Sequence, residues 1–388
     1  MRIGIVGAGI GGLCAAVGLH RAGAEVTVFE RAPQARAGGS GISVFGNGMR
    51  ALEAAGVGGA FRAISSSEAS RFTGGQRRPD GSWLTTFPTD AVTELRVVDR
   101  APLHEILLAP LPPHALRTAA SVTSATPEGG VSWTTTTGEA HSEQFDLVIA
   151  ADGIGSRIRQ SLPHDPGISY SGYSTWRGIT DRPVDLHGEA GETWGTKKRF
   201  GIAPLKDGRV YWFAVLSIDR AHRFTDDRAA LGEHFGAWHA PIPELLEATP
   251  AHRISYLPID ELGGRLPSYV HGRIALLGDA AHAMTPNLGQ GGGQAMEDAA
   301  TIAALLAPFA GSAAAPEGAI AAAFTRYDEL RLKRTQSITW RSRTVGRLAH
   351  APGSKITGVR DLLLRATPPA AMRKQLAWIQ DWRPPSSV

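Results

Sequence analysis

The sequence contains a single cysteine, Cys14. No intramolecular disulfide can form, which suits a reducing compartment. Cys14 falls in the first turns of an expected buried helix and reads as a packed thiol, not a nucleophile. No stretch reaches the roughly 20 apolar residues that a spanning helix needs. The longest run, Ala299 to Ala310, is too short and is interrupted by Pro308. The opening MRIGIVGAGIGG has no small-residue cleavage site after an apolar core, so no signal peptide is expected and the cytoplasm is the default. The 13 histidines show neither H-x-x-x-H nor H-E-x-x-H spacing, so no metal site is expected. There is no dense basic patch interleaved with aromatics, which excludes nucleic acid as a partner. Formal charge is only +4, a modest cationic surplus that suits an anionic ligand or cofactor. The most basic stretch, Arg326 to Arg347, has helical spacing and reads as a solvated helix face.

What is present is ordinary globular composition, 43% hydrophobic and 20% charged over 388 residues, enough for two domains. Ile3 to Val6 reads as a buried strand, Gly12 to Ala22 as a helix, and Glu25 to Phe29 as a second strand. Further helices are expected over 47–55 and 100–108. Thr118 to Thr137 alternates around Pro127-Glu128-Gly129-Gly130, the signature of a β-hairpin. From about 172 to 266 the texture changes to aromatic-rich strands, with two short helices near 226–238 and 242–248. A buried strand returns at Arg273 to Leu277, followed by helices over 290–306 and 319–347. The expected layout is a discontinuous dinucleotide-binding domain (1–171 and 267–345), an inserted substrate-binding sheet domain (172–266) and a helical tail (346–388).

Gly7, Gly9 and Gly12 fit G-x-G-x-x-G between a strand and a helix, the context that gives this weak pattern meaning. Gly9 lets a pyrophosphate approach the backbone, and Gly12 lets helix and strand pack closely. The helix N-terminus then offers free N–H groups to phosphate. Glu30 ends the second strand and can accept ribose hydroxyls. It would repel a 2′-phosphate, so the bound dinucleotide should be FAD or NAD. Much later, a strand ends in Gly278-Asp279, and Leu288-Gly-Gln-Gly-Gly-Gly-Gln294 precedes a helix. A carboxylate at a strand end can bond a polyol, and glycines at a helix start can turn N–H groups toward an electron-rich ring edge. A plain nicotinamide dehydrogenase has no use for this second apparatus.

Three motifs in this order resemble those of the single-component FAD-dependent aromatic hydroxylases, the group of p-hydroxybenzoate, salicylate and urate hydroxylases. They are the glycine fingerprint, Asp152-Gly153-Ile-Gly-Ser-Arg-Ile-Arg159, and Gly278-Asp279 with Pro286 and the glycines from 289 to 293. The resemblance spans about residues 1 to 345. It implies an α/β fold: a Rossmann-like FAD-binding domain of the p-hydroxybenzoate hydroxylase kind, with an inserted antiparallel β-sheet substrate domain and C-terminal helices. It implies that Gly9, Gly11, Gly12, Glu30 and Arg31 hold the adenosine and pyrophosphate, with the main chain of Val122 beside the adenine. Ser43 and Arg100 would contact FAD, Asp152 would serve FAD and the nicotinamide donor, and Asp279 would bond the ribityl or pyrophosphate region. Gly289, Gly291 and Gly292 would face the isoalloxazine edge, and Pro286 would line the oxygen pocket. The chain departs from many relatives at Gly46-Asn47, where they have Pro-Asn, and at Gly293, where they have Asn.

The resemblance also implies the chemistry. NADH or NADPH reduces FAD, O2 adds at C4a, and the resulting C4a-hydroperoxyflavin hydroxylates a small electron-rich aromatic or heteroaromatic substrate. Arg199 and Tyr211 resemble the active-site Arg and Tyr of urate hydroxylases. Arg199 would stabilise an anionic substrate or the oxygenated flavin, and Tyr211 would bond the substrate or relay its proton. The plainer readings are a surface cation and a packed aromatic. His282 is a candidate base but reads better as a structural hydrogen-bonding residue; Trp176-Arg177-Gly178 is a candidate pocket border, although Trp176 reads better as core. An epoxidase, a prenyl reductase and a non-catalytic flavin-binding protein remain rivals; the W-x-W-x-I-P of halogenases is absent. Substrate identity, nicotinamide preference and oligomeric state are not legible.

Overall fold

The computed structural model describes residues 1–35, 41–67, 71–88, 94–313, 315–316 and 318–386. Short runs that are apolar on both faces make a sheet covered on both sides. Strands Arg2–Val6, Glu25–Phe29, Leu147–Ala150 and Ile274–Leu276 are of this kind, and the last two are buried throughout. With Leu116–Arg117 and Val270–His271 they form a six-stranded sheet, ordered 270–271, 274–276, 147–150, 2–6, 25–29, 116–117. Every pairing is parallel except that of 270–271 with 274–276. Helix Ile10–Arg21 follows the first strand, and helix Gly291–Ala310 packs on it. A Cβ on Gly18 would meet Ala303 Cβ at 2.9 Å, so the small residue sets how close the two helices come.

The expected hairpin forms over Ala120–Ala125 and Gly130–Thr135, and Ala140–Gln144 adds a third strand. Strands Gly41–Phe45 and Leu95–Asp99 pair as a ribbon. Asp99 caps the helix Arg100–Leu108, its Oδ1 accepting from the Ala101 N–H at 3.3 Å.

The second sheet has seven strands, ordered 255–262, 168–179, 210–216, 198–204, 191–194, 75–77, 83–86. It is antiparallel except where 191–194 meets 75–77. Its strands therefore come from a wider stretch than the expected 172–266. Gly75–Arg77 and Trp83–Thr86 are too short to show a period of two, so the sequence left them with the first domain. On one face Trp176, Phe200, Trp212 and Phe235 pack into an aromatic core. Alternation aims Arg199, Tyr211 and Phe213 the other way, toward the first domain.

Helix Ala319–Ala349 runs four residues past the expected boundary at 345, and helices Ser354–Arg365 and Pro369–Gln380 follow. The reading of 326–347 as a solvated face needs correction. Arg331, Thr335 and Ser342 are fully buried, because one side of this helix covers two buried carboxylates, Glu297 and Asp298. Helical spacing showed which residues share a face but not what that face meets.

Candidate active site

The glycine turn is built by close approach. A Cβ on Gly12 would sit 2.0 Å from the Gly7 carbonyl oxygen, so no larger residue fits. A Cβ on Gly9 would meet nothing within 4 Å: this position faces open space at the start of helix 10–21. The Glu30 carboxylate accepts from the N–H of Ala8 at 3.0 Å and of Ala32 at 2.9 Å, which ties the end of the second strand to the turn.

The second motif is locked to the third. Ser156 caps the short helix Arg157–Ser161, its hydroxyl accepting from the Arg159 N–H at 2.9 Å. Arg159, fully buried, donates to Asp165 at 2.8 Å, to the Ile154 carbonyl at 2.7 Å and to the Ala280 carbonyl at 3.2 Å. Asp152 Oδ1 is buried with no partner, and burial pushes this carboxyl above its ordinary range against the opposing Ser156 hydrogen bond.

Behind the third motif lies a buried charge cluster. Asp298 accepts from the Gly278 N–H at 2.9 Å, His282 Nε2 at 2.6 Å and Arg331 Nε at 2.6 Å. Glu297 pairs with Arg331 and with Arg334, the latter at 2.7 Å. Asn47 Nδ2 donates to Glu297 at 2.6 Å and to Gln290 at 2.9 Å, so the Gly46-Asn47 helix start is stitched to the glycine run. Burial alone would raise both carboxyls, but the Arg331 charge and the other donors outweigh it, and both stand below their ordinary range. His282 thus serves as a buried structural donor.

All three motif regions open on one cavity of about 360 Å³. Its wall includes Gly9, Gly11, Gly12, Ser43, Arg100, Asp279, Pro286, Gly289, Gly291 and Gly292 from the first domain. Arg199 and Tyr211 come from the sheet. Glu30, Arg31, Val122 and Asp152 are not part of that wall. Arg31 is exposed, and Val122 packs in the core on the hairpin's first strand.

Arg199 is 1% exposed. Nη1 donates to Glu192 at 3.1 Å, Nη2 donates to Asn287 Oδ1, and Nε is buried without a partner. Asn287 is a residue that sequence reasoning missed. Its amide nitrogen lies 2.9 Å from the Tyr173 hydroxyl, 2.9 Å from Thr285 Oγ1 and 2.8 Å from the Ser342 carbonyl. A primary amide offers an acceptor to the guanidinium and donors to the helix behind it, which neither a carboxylate nor an alkyl group can do. The only signal in the sequence was its place beside Pro286. Tyr173 stacks on His350 with centroids 4.3 Å apart. Burial, with the Arg199 charge second, holds His350 at a pKa of about 3, so it adds no charge near neutral pH. Burial likewise raises the Tyr211 phenol against the opposing Arg177 charge, which keeps it protonated. Arg177 and Phe213 complete this wall.

The open cradles at Gly9 and Gly291, the helix starting at Gly291 and the Asp279 carboxylate on the same wall fit a flavin dinucleotide. A family model described as FAD binding domain matches residues 1–342. This chain belongs to that FAD-binding family. The flavoprotein is 34% identical over 370 residues to the aurachin C monooxygenase/isomerase of Stigmatella aurantiaca, covering 93% of each chain. It is 30% identical over 377 residues to a FAD-dependent urate hydroxylase of Klebsiella pneumoniae, covering 92% of each. The crystal structure of Klebsiella pneumoniae HpxO with FAD and uric acid superposes with a TM-score of 0.83 at 27% identity over 97% of each chain. Fold and family agree with the sequence expectation, and the chain is a FAD-dependent flavoprotein monooxygenase.

Proposed function

We propose that this flavoprotein hydroxylates a small, ionisable aromatic or heteroaromatic ring, consuming NADH or NADPH and O2. The observation that carries this reading is Arg199: a buried guanidinium on the cavity wall, fixed at two nitrogens, with its third nitrogen unpaired. A fixed cation with a spare donor stabilises negative charge as it develops, at no cost in reorganisation. An electron-rich ring needs that service, because its reactive form is a phenolate or enolate.

Bound FAD supplies the redox chemistry, taking two electrons from the nicotinamide and activating O2. One oxygen atom replaces a ring hydrogen as hydroxyl, and the other leaves as water. Gly9, Gly11, Gly12 and Glu30 would hold the adenosine and pyrophosphate, aided by Arg31 and by the Val122 main chain. Arg100, Asp152 and Asp279 would hold the rest of the cofactor and admit the donor. Ser43, Gly289, Gly291 and Gly292 would border the ring, and Pro286 would shape the oxygen site. Tyr211, buried and neutral on the same wall as Phe213 and Arg177, would hold the substrate oxygen or pass on its proton.

The test is oxidation of NADH and NADPH with O2 uptake, run against urate, hydroxybenzoates and quinolones. One compound should accelerate both losses together and emerge with one added oxygen. If an active compound drives nicotinamide loss without O2 loss, the protein is a reductase and the proposal fails.

A further inference from the structure

Nine large apolar side chains stand exposed among the described residues, and seven of them fall between Trp340 and Trp378. Four belong to one helix, 354–365: Ile356, Val359, Leu362 and Leu363, exposed at 54, 60, 68 and 59%. Their spacing places them on one side. The other side is pinned to the body by polar groups. Arg360 is buried and donates to the Gly195 carbonyl at 3.0 Å, and Asp361 accepts from Arg78 at 2.7 Å. This inverts a normal surface helix, whose apolar side faces the core.

The same segment of chain is basic. Residues 346–388 carry seven Lys or Arg against Asp361 and Asp381, a surplus of five, whereas the whole chain has a surplus of four. Lys355 and Arg365 are exposed at the two ends of the apolar stripe. An apolar strip flanked by cations matches the boundary of an anionic bilayer, acyl chains below and phosphates beside. It matches a second copy of this chain poorly, since a twofold contact would set this positive surface against its own image. Among the described residues no helix is long and apolar enough to cross a membrane, so the contact is peripheral.

We infer that helix 354–365 docks the protein on an anionic lipid surface. The test is flotation of the full-length, FAD-loaded protein with vesicles of phosphatidylcholine alone and of phosphatidylcholine mixed with phosphatidylglycerol. The protein floats with the mixed vesicles, stays behind with the zwitterionic ones, and is released by high salt. Leu362→Asp with Leu363→Asp abolishes flotation. Lys355→Glu with Arg365→Glu lowers partition roughly thirtyfold or more. An unchanged flavin spectrum and melting temperature show that the variants are folded. Failure to float with mixed vesicles, or equal flotation with both kinds, overturns the inference. So does light scattering that shows a dimer which the Leu362→Asp, Leu363→Asp variant dissolves.

Discussion

Replacing Arg331 with methionine removes the central cation of the buried cluster while keeping most of its volume. Arg331 is wholly buried and bonds both Glu297 and Asp298. Glu297 would keep Arg334, and Asp298 would keep His282 and the Gly278 N–H. Breaking a buried pair by removing one partner costs about 3–5 kcal/mol. An unfolding entropy of about 2.1 cal/mol/K per residue puts the melting temperature roughly 4–6 °C lower for a chain of 388 residues. The pH dependence gives a second check. Both carboxyls lie below their ordinary values in the folded wild type, so their contribution is present above the unfolded pKa and is lost as pH falls through the lowered folded values. Without Arg331, burial is less opposed and the folded values rise. The variant then takes up protons at a higher pH than the wild type, and the gap in melting temperature narrows on acidification. Thermal denaturation of both proteins from neutral pH down to about pH 3, below the ordinary carboxylate range, measures this. A shift below about 1 °C, or a gap that does not change with pH, would refute the electrostatic reading of the cluster.

Gly12→Ala places a methyl group 2.0 Å from the Gly7 carbonyl; flavin absorbance of the purified variant should fall at least tenfold, and full retention would remove this turn from the cofactor site. Arg199→Ala should retain FAD but cut hydroxylated product per nicotinamide by about a hundredfold, in line with the loss of one preorganised donor, with the missing oxygen recovered as hydrogen peroxide. Asn287→Ala leaves Arg199 tethered only to Glu192, so coupling should fall about tenfold, by analogy with lost positioning groups, while substrate KM stays within about threefold. A rise in KM with coupling intact would make Asn287 a binding group instead.

The glycine fingerprint and the Gly278-Asp279 region were legible because backbone that must approach another backbone closely admits only glycine, and that requirement is written one residue at a time. Helix 100–108 was also legible, and the structure adds the aspartate that caps it. Strands 75–77 and 83–86 were not, since they are shorter than the pattern that reveals a strand. Arg331 was misread because a cation facing buried carboxylates has the same spacing as one facing water. Asn287 was invisible because its role lies in contacts with Arg199, Tyr173 and Ser342, all far from it in sequence. The exposed stripe on helix 354–365 could be seen only once the side facing the body was known.

The most direct test of the central claim is turnover under isotopically heavy O2, with the stimulating substrate identified first and its product weighed by mass spectrometry. The wild type should place one heavy oxygen atom on the ring, and Arg199→Ala should retain its flavin and still oxidise the nicotinamide while placing little. Product oxygen drawn from water, or equal incorporation by both proteins, would contradict the proposal that this cavity and its buried guanidinium carry out flavin-dependent ring hydroxylation.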